Sequence, residues 1–186
     1  MELAVKNMVC PRCISAVEDI LNTLQVDYNT VDLGRIQLVK NITPAKVAAI
    51  NSAIQKIGFE LISNPKESLV QDIKTHLIAL IHAPDKIENP KLSVYLSERL
   101  SVSYQTLSSV FSAMEHSTIE KYFIQLKIEK AKEWLSYKQL SLKEIAYKLN
   151  YSSLAHLSKQ FKEVVGVSAS QYREEQMINR KHLDDI

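Results

Sequence analysis

At 186 residues, 46% hydrophobic and 24% charged, the chain has room for one medium domain or two small ones, and its longest apolar stretch, near Leu77 to Ile81, is far too short to cross a bilayer. The two cysteines, Cys10 and Cys13, stand too close together to brace a fold, and no basic region leads into an apolar core at the start, so a reducing, cytoplasmic setting without a membrane partner is expected. The net charge of +2 is unevenly placed: residues 1–65 balance six basic against six acidic side chains, while residues 66–183 carry seventeen against thirteen, a mild excess that suits contact with phosphates.

Glu2 to Lys6 alternates like a strand, and Ile14 to Leu24 places Ile14, Val17, Ile20, Leu21 and Leu24 on one helical face. Tyr28 to Val39 is rich in β-branched residues and broken at Gly34, which predicts a hairpin. Thr43-Pro44 starts a helix, with Thr as N-cap and Pro in the first turn; it runs through Val47, Ile50, Ile54 and Ile57 to Gly58. Phe59 to Ile62 is a fourth strand. The order βαββαβ predicts a small α+β domain over residues 1–63, closed by the Asn64-Pro65 break.

Asn7-Met-Val-Cys-Pro-Arg-Cys13 lies where the first strand meets the first helix. Two thiols at i and i+3 around a helix N-terminus can converge on one soft metal ion, and the helix dipole favours their thiolate form. Soft thiolates select Cu(I), with Zn(II) a competitor, although two ligands are too few for a closed structural zinc site. A redox dithiol and a packing or interaction module without ligand are the alternatives. The Met-x-Cys-x-x-Cys motif within βαββαβ resembles the heavy-metal-associated domain of copper chaperones and transporters, with Gly58-Phe59 at the matching position. That resemblance implies a ferredoxin-like fold, metal binding at Cys10 and Cys13, and a Met8 that packs inward and is not a ligand. Asn7 stands where the family usually has Gly.

Everything after Asn64-Pro65 is predicted helical. Leu69, Ile73, Leu77 and Leu80/Ile81 form one face, ending near Ala83-Pro84. From there the chain repeats itself at a spacing of fifty: Leu92 falls on Leu142, Ser103 on Ser153, Leu107 on Leu157, Ser108 on Ser158, Phe111 on Phe161 and Tyr122 on Tyr172. Such a period marks a duplicated supersecondary unit, here helix, tight turn, helix. The first unit uses Leu92, Tyr95, Leu96 and Leu100, turns at Ser101-Val-Ser103, and resumes with Leu107, Val110, Phe111 and Met114. A long helix from Thr118 to about Ser136 is apolar on more than one face, as expected where it packs against a lobe on each side. The second unit uses Leu142, Ile145, Ala146 and Leu149, turns at Asn150-Tyr151, and continues with Leu154, Leu157, Phe161 and Val164. A last helix spans about Ser168 to Glu175, and Ser117-x-x-Glu120, Ser141-x-x-Glu144 and Ser168-x-x-Gln171 match the capping box. The expected organisation is an all-α domain over residues 66–176, two helix-turn-helix units joined by a long helix, with a tail over 177–186.

Ser141-Leu-Lys-Glu-Ile-Ala-Tyr-Lys-Leu-Asn-Tyr-Ser-Ser153, His156-Leu-Ser-Lys-Gln-Phe-Lys162 and Gly166-Val-Ser-Ala-Ser-Gln-Tyr-Arg173 resemble the C-terminal domain of the AraC/XylS transcription regulators. The resemblance covers residues 66–175 and implies seven helices, double-stranded DNA as partner and RNA polymerase as a second partner; a basic fold with no paired catalytic residues argues against an enzyme. In this family the second helix of each unit lies in a major groove, with the two about 34 Å apart. The base-facing positions implied are Tyr104, Gln105, Ser108 and Ser109 in the first unit and Ser152, Ser153, His156, Lys159 and Gln160 in the second. Lys143, Lys148, Lys162 and Arg173 are the candidate phosphate contacts. Ser109 stands where many members carry Arg, so the first unit is expected to discriminate bases weakly. Asn150 and His116 stand where the family has Gly, Leu157 replaces a common Phe, and Ala169 a usual Pro; Asn tolerates the positive φ that such a turn needs. The function expected is a sequence-specific regulator responsive to a soft metal through Cys10 and Cys13. Two alternatives stand beside it: a metal-handling protein whose helical half binds a protein partner, and a regulator whose N-terminal domain serves only for dimerisation or interaction.

Overall fold

The computed structural model describes residues 1–82, 91–137 and 140–175, and the chain divides between Thr75 and His76 into two compact units. In the first, β1 (Glu2–Lys6), α1 (Pro11–Thr23), β2 (Tyr28–Asp32), β3 (Arg35–Leu38), α2 (Pro44–Gln55) and β4 (Glu60–Ile62) follow in the predicted order. The strands make one antiparallel sheet in spatial order β2-β3-β1-β4, so β1 is central. Its period-two alternation buries Leu3 and Val5 and exposes Glu2 and Lys6. Leu3 lies opposite Ile36 and Val5 opposite Leu61, and this register sets both rows against Val17, Leu21, Ile50 and Ile54 in one core.

The helix starts follow from local chemistry. Thr43 Oγ1 accepts the Lys46 N–H at 3.3 Å with Pro44 in the first turn of α2. α1 begins at Pro11, three residues before the apolar face at Ile14, because Cys10 is extended and Pro11 has the φ that a first turn requires. Gly34 turns between β2 and β3 at φ +81°, and a Cβ there would lie 3.2 Å from Thr75 Oγ1.

α3 (Pro65–His82) starts at the expected break, where the Lys66 N–H bonds to Asn64 Oδ1. The border between the units falls inside this helix. Residues 65–75 belong with the sheet for a visible reason: the Arg35 guanidinium bonds both Asp72 carboxylate oxygens and also pairs with Glu2, while Val70, Gln71 and Ile73 are buried. The predicted helix end at Ala83-Pro84, the domain end at 176 and the tail over 177–186 lie outside the described residues.

The second unit continues with α4 (Leu92–Leu100), α5 (Tyr104–Glu115), α6 (Ile119–Tyr137), α7 (Leu142–Lys148), α8 (Leu154–Val165) and α9 (Ala169–Glu175). With α3, that gives the seven helices implied, among the described residues. α6 packs against α5, α7, α8 and α9, which is why it is buried at Tyr122, Phe123, Leu126, Ile128 and Leu135 together. The repeat is realised in three dimensions. Phe111 meets Tyr122 edge-on at 5.6 Å between ring centres, and Phe161 meets Tyr172 in the same way at 5.6 Å.

Three expectations need correction. The N-cap of α6 is Thr118, whose Oγ1 accepts the Lys121 N–H at 3.2 Å; Ser117-x-x-Glu120 is not a capping box, because Glu120 instead accepts the Tyr104 hydroxyl. Leu154 and Val164, placed by periodicity on the inner face of α8, are 41% and 45% exposed, since they sit at the two ends of the helix beyond its packed middle. The fifty-residue register holds at the starts of α4 and α7 and again from the second helix of each unit onwards, but not at the turn between. N-caps Ser103 and Ser153 are fifty apart, whereas the left-handed turn residues Ser101 and Asn150 are forty-nine apart, so the second turn is one residue longer.

Candidate nucleic-acid interface

Each helix-turn-helix is built by the same local devices. α4 and α7 end in left-handed residues, Ser101 at φ 52° and Asn150 at φ 55°. Asn takes this conformation at small cost, as the turn requires. Ser103 and Ser153 then cap the second helices, their Oγ atoms accepting the Thr106 N–H at 3.2 Å and the His156 N–H at 3.1 Å. Such a cap contributes about 1 kcal/mol. At the far ends His116 (φ 50°) and Gly166 (φ 88°) stop α5 and α8 in the left-handed region, so His116 does for α5 what Gly166 does for α8. Ser141 with Glu144, and Ser168 with Gln171, close complete capping boxes.

Leu157 and Phe161 fix the inner face of α8, as Leu107 and Phe111 fix that of α5. Of the expected base-facing residues, Gln105, Ser109, Ser152, Ser153, His156 and Lys159 are exposed; Tyr104, Ser108 and Gln160 are half-buried on the flanks of their helices. Tyr104 is held by Glu120; burial and this bond push its hydroxyl up from the ordinary tyrosine range, and the same bond holds the Glu120 carboxyl low. Ser153 is engaged as a cap. His156 Nδ1 lies 3.1 Å from Ser152 Oγ, and Lys159 is 4.0 Å from Glu163 one turn on. The wheel set by the buried pairs also turns Thr106, Ala113 and Ala155 outward. These three are not among the expected base-facing residues, although their positions follow from the buried Leu107 and Leu157 alone.

Lys143, Lys148 and Lys162 are exposed. Arg173 is not free for a phosphate: it is half-buried and its Nη2 donates to the Leu140 carbonyl at 2.7 Å, tying α9 to the segment before α7.

Residues 96–175 match the family described as helix-turn-helix domain. An uncharacterized HTH-type transcriptional regulator of Bacillus subtilis, YtdP, is 26% identical over 105 residues, 56% of this chain and 13% of that protein's length. The C-terminal domain of AraT, a response regulator from Geobacillus stearothermophilus, superposes with a TM-score of 0.52 and 25% identity, covering 64% of this chain and 92% of that one. A transcriptional regulator from Chromobacterium violaceum with an AraC-type DNA-binding domain shares the fold at a TM-score of 0.50 and 18% identity, covering 59% of this chain and 96% of that one. Residues 96–175 are a helix-turn-helix domain with the fold of AraC-type DNA-binding domains.

Beneath the second turn of this helix-turn-helix domain lies a group that the sequence did not mark. Lys127 of α6 is buried, its ammonium 4.9 Å from the Phe123 ring centre and 5.1 Å from that of Tyr151. Tyr151 in turn meets the His156 ring edge-on at 5.2 Å. Burial pulls the Lys127 ammonium down to about 8. Tyr151 is buried as well, and its hydroxyl has no hydrogen-bond partner among the described residues.

In the other unit, Cys10 caps α1 without a side-chain bond, and its sulfur lies 3.5 Å from that of Cys13. Both are half-buried, and burial pushes the Cys13 thiol up. Asn7, left-handed at φ 73°, donates from Nδ2 to the Gly58 carbonyl at 3.0 Å and so ties the thiol loop to the turn before β4. Met8 is fully buried, which leaves two sulfurs as the donor set. Among the described residues no group of three or more His, Cys, Asp or Glu side chains converges on a metal position, and no helix is long and apolar enough to cross a membrane.

Proposed function

We propose that this protein is a sequence-specific, non-enzymatic transcription regulator that binds duplex DNA through α5 and α8, acts in the cytoplasm and meets RNA polymerase at its promoters. The observation that carries this reading is the AraC-type domain itself: two helix-turn-helix units with matching serine caps and outward faces free of core residues. In such units the second helix enters the major groove, and lysines flanking it meet phosphates. Lys143, Lys148 and Lys162 are placed for that role.

The N-terminal unit is proposed as a sensor of a soft metal such as Cu(I), held by Cys10 and Cys13. Two sulfurs 3.5 Å apart at the start of a helix favour this reading, because deprotonated thiols are soft donors. The β2-β3-β1-β4 sheet order supports a ferredoxin-like reading of this unit.

The test is anaerobic binding of the intact protein to duplex DNA from its own upstream region, with and without Cu(I), beside a Cys10→Ser/Cys13→Ser variant. Regulator and sensor together predict tight, salt-dependent binding whose affinity moves with Cu(I) in the wild type and stays fixed in the variant. Binding that ignores the metal in both proteins removes the sensor and leaves an interaction module; absence of salt-dependent binding removes the regulator.

A further inference from the structure

The two helices that face DNA on the reading above carry unlike chemistry. α8 turns His156, Lys159, Lys162 and Glu163 to solvent. The equivalent face of α5 exposes Gln105, Thr106, Ser109 and Ala113, and α5 has no charged side chain before its last residue, Glu115. We propose that the operator is read asymmetrically: α8 selects guanine through Lys159, and α5 selects an A·T segment through Gln105 and its neighbouring methyl groups. This rests on the DNA-binding reading and deepens it.

An ammonium has three donors and no acceptor. Guanine offers two acceptors, O6 and N7, side by side on its major-groove edge, the pairing that lysine most often makes there. The ion pair of Lys159 with Glu163 joins two exposed side chains at 4.0 Å, so opening it to reach a base costs little. His156 lies one turn earlier, and with Nδ1 beside Ser152 Oγ its Nε2 is the free ring nitrogen.

α5 has nothing comparable. Gln105 presents a carbonyl and an amide together, which match adenine N6 and N7. The Thr106 hydroxyl is engaged by Ser103 Oγ at 2.8 Å, leaving its methyl, with that of Ala113, for the thymine C5-methyl group. Tyr104, the one long polar side chain at the start of α5 besides Gln105, is committed to Glu120.

The experiment is selection from a random duplex library by the intact wild-type protein and by Lys159→Met, Lys159→Arg and Gln105→Leu variants, all exposed positions. The wild type should enrich a guanine-bearing segment and, about 10 base pairs away, an A·T segment. Lys159→Met should lower the guanine preference about tenfold and spare the A·T segment; Lys159→Arg should keep guanine; Gln105→Leu should relax the adenine position alone. A Lys159→Met variant weakened equally on every sequence, with its salt slope reduced by about one, would make Lys159 a phosphate contact and overturn the assignment. Salt-dependent binding by the wild type without enrichment of these two segments overturns the asymmetry while DNA binding stands. No salt-dependent binding at all overturns both.

Discussion

The Lys127 ammonium lies between two aromatic faces, and no carboxylate pairs with it among the described residues. Two effects oppose each other there. Burial lowers its pKa from 10.5 to about 8, a displacement equivalent to about 3 kcal/mol against the charged form. Each ring face returns roughly 1 kcal/mol, so the net cost at pH 7 is about 1–2 kcal/mol. The sign with pH follows: below pH 8 the lysine is protonated in folded and unfolded chains alike and the cost is present in full. Between about pH 8 and 10.5 the unfolded chain holds more protons, so stability rises with pH and the cost fades. Lys127→Met should therefore melt higher than wild type at pH 7, with the difference shrinking as pH climbs through that window. Thermal unfolding of the pair across pH 6–10 checks it, and a variant that melts lower at pH 7 would mean that the cation–ring contacts outweigh desolvation.

At the scale of elements, α6 gives a sharp contrast between neighbouring residues. Thr118 caps the helix and Ser117 does not. Thr118→Ala should cost about 1 kcal/mol in urea unfolding, whereas Ser117→Ala should change stability by a few tenths. Equal losses would mean that the cap moves between them. The misreading has a physical source: Ser and Thr both cap helices, and Glu120 completes the right spacing from Ser117, but its carboxylate is claimed from outside the helix by Tyr104. The elements that were legible carry signals with one meaning. Thr43-Pro44 starts α2, Gly34 breaks the hairpin, and Asn150 fits the left-handed turn, each because few residues tolerate that backbone. What was not legible depends on tertiary neighbours. Periodicity marked the stripe of Leu157 and Phe161 but not where it runs out, so Leu154 and Val164 were placed inside. Lys127 looks like any helix lysine until Phe123 and Tyr151 close over it. Arg173 could not be told from a surface arginine without the Leu140 carbonyl.

For the molecule as a whole, the excess of basic residues after residue 65 overstates the charge offered to a partner. Lys132 and Glu129 pair in the interior of the second unit, and Lys130 is paired with Glu133 and lies over Trp134. Arg173 is spent on a carbonyl. The exposed Lys143, Lys148 and Lys162 remain around the second helix-turn-helix, beside the base-facing Lys159. If each releases one condensed counterion on meeting a phosphate, each contributes about 0.9 to the slope of log affinity against log salt. Changing all three to Gln should flatten that slope by about 2.7 while leaving the melting temperature near wild type, because none is in the core. Arg173→Gln should do the reverse, lowering the melting temperature through the lost tie between α9 and the segment before α7 and leaving the slope in place. A salt titration of duplex binding for both variants separates the two kinds of cation. A slope that survives loss of the three lysines would place the phosphate contacts elsewhere on the domain, and a slope that falls with Arg173 would mean that its guanidinium leaves Leu140 when DNA is bound.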